Sequence, residues 1–327
     1  GIMIKDDPGF IDELAIVSTQ NSNFDETWQP VLGEEKEIRN NYNQFTVTLQ
    51  NIDSKKEMSI VFRLFNDGLG FRYEFPHMEN QRYFTIMGEK TEFRLSGDHK
   101  TFWIPGDFDS NEYPYMTSKL SEVDAEKGQG FFEISTRRII AHNAVQTPLM
   151  MKSDNGVYIN IFEAAVTNYP VMHLLVDKSE FSLKTAFAPD AVGNIAYLQA
   201  PCSTPWRTII VSKKAENILT SRMILNLNEP SKIEDVSWIK GQKYVGIWWE
   251  LHVNKSSWNY SDINNIKLGE IDWSKVKPNG RHGATTERTK YYIDFAAKNG
   301  FAGVLVEGWN VGWEDWFGNW KENVFDF

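Results

Sequence analysis

The chain has 327 residues, 41% of them hydrophobic and 24% charged, with a formal net charge of −10. That length accommodates two domains of ordinary size. The acidic balance argues against a nucleic-acid partner, which needs clustered Lys and Arg, and no apolar run reaches the roughly 18 residues of a membrane helix. Cys202 is the only cysteine, so neither an intrachain disulfide nor a zinc-thiolate cluster is available. Twelve Trp and 21 Phe are core and interface material first. Beside acids and amides, Trp also stacks on the apolar face of a sugar ring, so its local setting decides.

Residues 40–230 read as strand after strand. Phe45, Val47 and Leu49 alternate on one face, as do Ile60, Phe62 and Leu64, the period of a half-buried strand. Asn66-Asp67-Gly68 turns the chain, and Phe71, Tyr73 and Phe75 run back, a hairpin signal. Residues 105–115 form an acidic, aromatic loop that offers oxygen ligands to a hard cation such as calcium. Its spacing differs from an EF-hand, and a solvated turn is the plainer reading of these residues. Asp154-Asn155-Gly156 marks a second hairpin, between 149–151 and 157–161. Glu163 is an acid in an apolar strand, either on an exposed face or paired. Residues 208–211 are a further β-branched run. Many strands with tight turns predict a sandwich or barrel.

The pattern changes near Pro230. Residues 235–240 read as a connector and 244–249 as a short apolar strand ending in Trp248-Trp249. A polar stretch spans 252–283. A helix is predicted over 286–298, with Thr285 as cap, Glu287 in the first turn and Gly300 as stop. Its apolar face is Thr289, Tyr292, Ile293, Ala296 and Ala297. Residues 301–306 then form an apolar strand of the kind buried in a parallel sheet. Strand, helix, strand is a βαβ unit, which demands further parallel partners. Residues 236–327 are therefore expected to be part of a larger domain, following a β domain over 1–235.

The richest chemistry lies at 307–320, where the second of these strands ends. Ligands of parallel α/β folds bind at that edge. Glu307 follows the apolar run directly and reads as a hydrogen-bond partner of sugar hydroxyls, or as a salt-bridged barrel residue. Trp309, Asn310 and Trp313 sit beside Gly308 and Gly312, which let backbone approach closely; with Trp316 and Trp320 they form a sugar grip or a packed loop. Trp248 and Trp249 end the first strand, and neighbours on a strand point opposite ways, so one of the two reaches the site. His252 and His282 read as structural.

These motifs resemble glycoside hydrolase family 97. The run Gly303-Val304-Leu305-Val306-Glu307-Gly308-Trp309-Asn310, followed by Gly312-Trp313, is similar to the second barrel strand of that family. Trp248-Trp249, Gly283-Ala284-Thr285-Thr286, Asn111-Glu112-Tyr113-Pro114-Tyr115, Phe162-Glu163-Ala164-Ala165 and Pro205-Trp206-Arg207 also fit it. The order holds from Asp25-Glu26-Thr27-Trp28 to Phe327. The resemblance implies a multidomain protein: an N-terminal antiparallel β-super-sandwich followed by an incomplete (β/α)8 TIM barrel. It implies an exo-acting glycosidase on terminal α-linked glucose, with galactose second, taking oligosaccharide substrates. The protein is expected to be periplasmic or otherwise secreted, with its signal peptide outside this chain; self-association is left open.

The same resemblance implies Ca2+ held by barrel carboxylates plus one sandwich Glu, which Glu112 matches. Glu307 would contact the innermost sugar and Trp248 or Trp249 would be a sugar platform, with Trp309, Asn310 and Trp313 adding to the grip. The general acid and the base or nucleophile are expected after Phe327 and the first sandwich strands before Gly1, so the catalytic pair is unknown and the chain by itself is expected to be inactive. Two other classes are compatible with a sandwich: a non-catalytic carbohydrate-binding module, and a mutarotase-like isomerase using a His and Glu pair from His142, His173 and Glu163. Neither accounts for the βαβ unit with its Trp-rich strand end.

Overall fold

The computed structural model describes residues 1–77, 82–127, 138–247, 249–257, 277, 279–281, 283 and 285–306. The chain divides into two compact units, Gly1–Glu234 and Asp235–Phe327.

The first unit is built from antiparallel strands. A ten-stranded sheet runs in the order Met116–Lys119, Lys100–Trp103, Leu149–Lys152, Tyr158–Ala164, Trp206–Ser212, Gly68–Phe75, Glu57–Leu64, Ile38–Asn51, Leu14–Trp28, with Cys202–Ser203 paired to Gly68–Phe75. Two four-stranded sheets accompany it. One has the order Ala196–Gln199, Tyr83–Glu89, Ile2–Ile4, Asp7–Phe10; the other has Ala144–Gln146, His173–Asp177, Ser182–Ala186, Glu92–Arg94.

Period-2 patterning explains the layering. In the hairpin at Asn66-Asp67-Gly68, Ile60 faces Tyr73 and Phe62 faces Phe71. This face joins Met58 and Phe75 in a core shared with Ile2, Phe10, Phe84, Ile86, Leu174 and Leu183 of the smaller sheets, which makes the unit a sandwich. The opposite face carries Val61, Ala164, Trp206 and Ile210, covered by Met223 and Leu227 from the short helix Met223–Asn226 and the residue after it. Both faces of the central strands are thus buried, so their sequence shows apolar residues at both parities.

An ion cluster joins the layers. Arg207 is fully buried and donates from Nε and Nη2 to Glu89 (2.9 and 2.6 Å) and from Nη1 to Glu163 (2.7 Å). Glu89 also accepts from Thr91 (2.7 Å) and Tyr169 (3.2 Å), and Glu163 from the Met172 amide (2.8 Å). Glu163 is therefore the paired alternative of the two its sequence allows. Burial holds its carboxyl above the ordinary range, against the pull of Arg207. For Glu89 burial acts in the same upward direction, but the Arg207 charge and hydrogen bonds outweigh it and the carboxyl lies below the ordinary range.

Strand structure begins earlier than the predicted start at residue 40. Ile2–Ile4 and Asp7–Phe10 belong to a small sheet, and Leu14–Trp28 is the edge of the large one. The edge strand is mostly exposed. Its run Ser18-Thr19-Gln20-Asn21-Ser22-Asn23 has no buried face to imprint an alternation, so no periodicity announces it.

In the second unit Tyr244–Gly246 pairs in parallel with Gly303–Leu305, and the helix Thr286–Asn299 lies between them in sequence. Thr285 caps it by accepting from the Arg288 amide (3.3 Å). Gly300 ends it at φ 70°, a left-handed conformation that glycine adopts without a Cβ clash. The first strand is shorter than predicted. It stops at Gly246, and Trp249 opens a helical turn, Trp249–His252, instead of ending a strand. The inward pull on Glu250 described below supplies the reason.

Candidate functional site

The acidic loop of the first unit starts from a close approach. A Cβ on Gly106 would stand 2.6 Å from the Cβ of Ala144, so only glycine lets the strands meet here. The Gly106 amide donates to the Ala144 carbonyl (2.8 Å), and the Gly106 carbonyl accepts from Ile140 (3.0 Å). Next comes Asp107, 2% exposed. Its Oδ1 accepts from the amides of Asp109 (2.7 Å) and Ser110 (3.0 Å), and its Oδ2 from the Tyr113 hydroxyl (2.7 Å) and the Arg138 amide (2.6 Å). Asp109 pairs with Arg138 at 3.3 Å.

Glu112 is the remaining acid of this loop. It is exposed, and its amide donates to the Ser110 hydroxyl (3.2 Å). Its carboxylate has no hydrogen-bond or ion-pair partner among the described residues. The loop offers one uncommitted carboxylate, and Asp107, an equally plausible cation ligand in the sequence, is spent on three backbone amides and the Tyr113 hydroxyl. Among the described residues no group of three or more His, Cys, Asp or Glu is placed to hold a metal.

Beside the loop is a cavity of about 470 Å³, lined in part by Phe108, Asn111, Gln146, Phe162, Glu163 and His173. It brings together the Glu163 and His173 that an isomerase would use. Glu163 is already engaged, and His173 is engaged through one ring nitrogen. Glu163 binds Arg207 and the Met172 amide. His173 Nε2 lies 2.9 Å from the Asp107 carbonyl, and a carbonyl only accepts, so this nitrogen carries the proton. Nδ1 is buried without a partner. Burial lowers the His173 pKa, the neighbouring Asp107 opposing it, so the ring is neutral at pH 7.

In the second unit Glu250, 8% exposed, accepts from Arg288 Nε (2.7 Å), Tyr292 (3.0 Å) and Ser256 (3.0 Å). Burial and the Glu250 hydrogen bond push the Tyr292 hydroxyl up to about 12. These contacts tie the turn after the first strand to the helix. They turn Glu250 inward and leave Trp249 71% exposed. Glu250 was visible in sequence only as the neighbour of two Trp; its partners lie 38 and 42 positions away. Of the other residues predicted to form the sugar site, Trp248, Glu307, Trp309, Asn310 and Trp313 lie outside the described residues, as do Trp316, Trp320 and His282.

Comparison with known proteins adds the following. Residues 1–230 match the family described as glycosyl-hydrolase 97 N-terminal, and residues 248–327 match glycoside hydrolase 97. The chain is 24% identical over 324 residues to a retaining alpha-galactosidase of Bacteroides thetaiotaomicron, covering 90% of this chain and 42% of that protein. A probable retaining alpha-galactosidase of Streptomyces bingchenggensis is 23% identical over 271 residues, 81% of this chain and 33% of that protein. Among solved structures, a glycoside hydrolase family 97 enzyme from Pseudoalteromonas sp. strain K8 in complex with acarbose has a TM-score of 0.75 and 35% identity, over 100% of this chain and 45% of that one. A variant of that enzyme is solved in complex with panose. A beta-arabinopyranosidase shares the fold, with a TM-score of 0.66 and 18% identity, over 92% of this chain and 43% of that one. The chain spans less than half the length of these relatives.

Proposed function

The chain belongs to glycoside hydrolase family 97, and on that premise we propose that it is the sandwich and the first part of a (β/α)8 barrel of an exo-acting hydrolase that removes terminal α-linked glucose from oligosaccharides. The observation that carries the sugar preference is the 35% identity, along the whole chain, to the enzyme solved with acarbose and panose. Both are built on α-linked glucose or its mimic. α-Linked galactose is the second reading, supported by the curated relatives at 24% and 23% identity. The parallel strand pair with its intervening helix is the repeating unit of such a barrel.

In this reading Glu307 and Asn310 hydrogen-bond the terminal sugar, while Trp309, Trp313 and Trp248 or Trp249 stack on it. The exposure of Trp249 suits a stacking role. A carboxylic acid protonates the glycosidic oxygen and a second carboxylate attacks the anomeric carbon or activates water; neither carboxyl is assigned to a residue. Glu112 is the sandwich ligand of a calcium ion. Its uncommitted carboxylate fits, because calcium takes about six to eight oxygen ligands, the others coming from outside the described residues. Bound calcium would supply fixed positive charge to the site. The protein is periplasmic or otherwise secreted.

The test is an assay of the full-length protein on p-nitrophenyl α-glucoside and α-galactoside, before and after chelation. Faster release from the glucoside, lost on chelation and restored by calcium, is expected. Preference for the galactoside would replace the sugar assignment. Activity indifferent to chelation would remove calcium, and with it the role of Glu112.

A further inference from the structure

The outer face of the ten-stranded sheet carries a charge arrangement that neither the fold nor the proposed reaction uses. Lys119, Lys100 and Lys152 stand in one row across its first three strands. Lys100 is the register partner of Lys119 on one side and of Lys152 on the other. Register partners of an antiparallel pair share a face, and neighbouring strands lie about 4.8 Å apart. Like charges directly opposite one another destabilise a sheet. Two such pairs adjoin here, in a chain with 44 Asp and Glu against 34 Lys and Arg.

The ordinary uses of surface lysine cover only part of the row. A lysine guards an edge strand against pairing with another chain. That accounts for Lys119 on the edge strand Met116–Lys119, but not for Lys100 and Lys152 on the second and third strands. Nor are the charges neutralised in place. Lys119 Nζ lies 3.4 Å from the Asp154 carboxylate, itself 89% exposed, and donates to the Asp98 carbonyl (3.0 Å). Lys100 and Lys152 have no acid partner among the described residues. Their ammonium groups lie over the rings of Phe102 (5.6 Å) and Tyr158 (4.9 Å). At the opposite edge of the same sheet, by contrast, Arg39 is paired with Asp25 at 2.6 Å. The three lysines border a recess of about 400 Å³ that also presents Thr117, Ser153 and Asp154. Three ammonium groups there meet one carboxylate.

We propose that this row is a docking site for an extended anionic glycan, a chain of sugars bearing sulfate or carboxylate groups. The three ammonium groups lie against three different neighbours, Asp154, Phe102 and Tyr158, and not on one shared point. Charges set one strand apart in this way suit anions repeated along a chain better than a single compact anion. The hydroxyls of Thr117 and Ser153 beside them can donate to and accept from sugar hydroxyls. A bilayer is a poorer fit, because membrane-surface binding needs apolar side chains to bury. None of the exposed large apolar side chains among the described residues lies in this row, and Phe102 and Met150 in the next are half-buried. Duplex DNA, with one charge per about 1.7 Å, is opposed most by the acidic balance of the chain.

Anisotropy titrations of the full-length protein into fluorescein-labelled heparin and polygalacturonate, at one ionic strength, test this. The wild type is expected to bind at least one of the two. Lys100→Gln/Lys152→Gln should bind it at least about tenfold more weakly, the loss of one or more charged hydrogen bonds. Lys36→Gln/Lys232→Gln removes the same charge at exposed positions outside the row and should bind like the wild type. Lys36 precedes the strand Ile38–Asn51 near the opposite edge, and Lys232 follows the helix Met223–Asn226.

Failure of the wild type to bind either glycan would overturn the proposal. So would equal losses in the two double variants, which would mean attraction by net charge alone. Duplex DNA or phosphatidylglycerol vesicles bound more tightly than either glycan, through the same two lysines, would give the row to another partner and overturn it as well.

Discussion

Two carboxylate systems in the sandwich unit solve the same physical problem to different ends. At Arg207 the cation and both carboxylates are buried, and each is bound by a named partner. At Asp107 one carboxylate is buried and saturated by four donors, and five residues on Glu112 is exposed with none among the described residues. Desolvating a charge is costly unless it is paired and hydrogen-bonded, so both buried sets are complete. The first contributes only to holding two layers together. The second holds a backbone whose outermost acid is exposed. A saturated buried acid is thus a sign of architecture, whereas an exposed acid is satisfied by solvent.

The contrast can be broken most strongly at Arg207. Arg207→Met leaves Glu89 and Glu163 buried without their cation, a change of about 3–5 kcal/mol, and is expected to abolish folding or lower the urea midpoint severely. Wild-type midpoints at each side chain's own pH range sharpen the point. The Glu89 pKa is depressed in the folded state, so its contribution is present above the unfolded value, about 4.3, and is lost as pH falls through the folded one. Glu89→Gln should be destabilised at pH 7 and should lose less stability than the wild type on acidification below pH 4. An unchanged acid slope would remove Glu89 as a source of it.

Gly106→Ala comes next. Its Cβ would meet the Ala144 Cβ at 2.6 Å, and overpacking of this kind costs about 1–3 kcal/mol; a melting temperature equal to wild type would show that the strands give way. The smallest expected effect is in the second unit. Thr285→Ala removes the helix cap and should cost about 1 kcal/mol, read as a lower urea midpoint for that unit, with no change at the sandwich.

Local chemistry carried much of the fold into the sequence. The helix Thr286–Asn299 is legible because Thr285, Glu287 and Gly300 mark both ends and the period between them is regular. The hairpins at Gly68 and Gly156 are legible from turn residues between alternating strands. The edge strand Leu14–Trp28 is not, because exposure on both faces leaves no pattern. Nor is the end of the strand at Gly246, where a long-range contact of Glu250 overrides a run of apolar residues.

The candidate site divides the same way. Glu112 stands out through its motif, but the grip of Asp107, Gln146 and His173 on its loop spans up to 66 positions, and Glu89 meets Arg207 across 118. Periodicity cannot show such pairs. They follow from the sheet registers, which only the folded chain displays.

The central claim, that the whole protein removes terminal α-linked glucose, is tested most directly by incubating the full-length protein with panose and identifying the first sugar released. Release of glucose from the non-reducing end, leaving a disaccharide, is the predicted result. Panose left intact by a folded, calcium-loaded protein that cleaves p-nitrophenyl α-galactoside would contradict it.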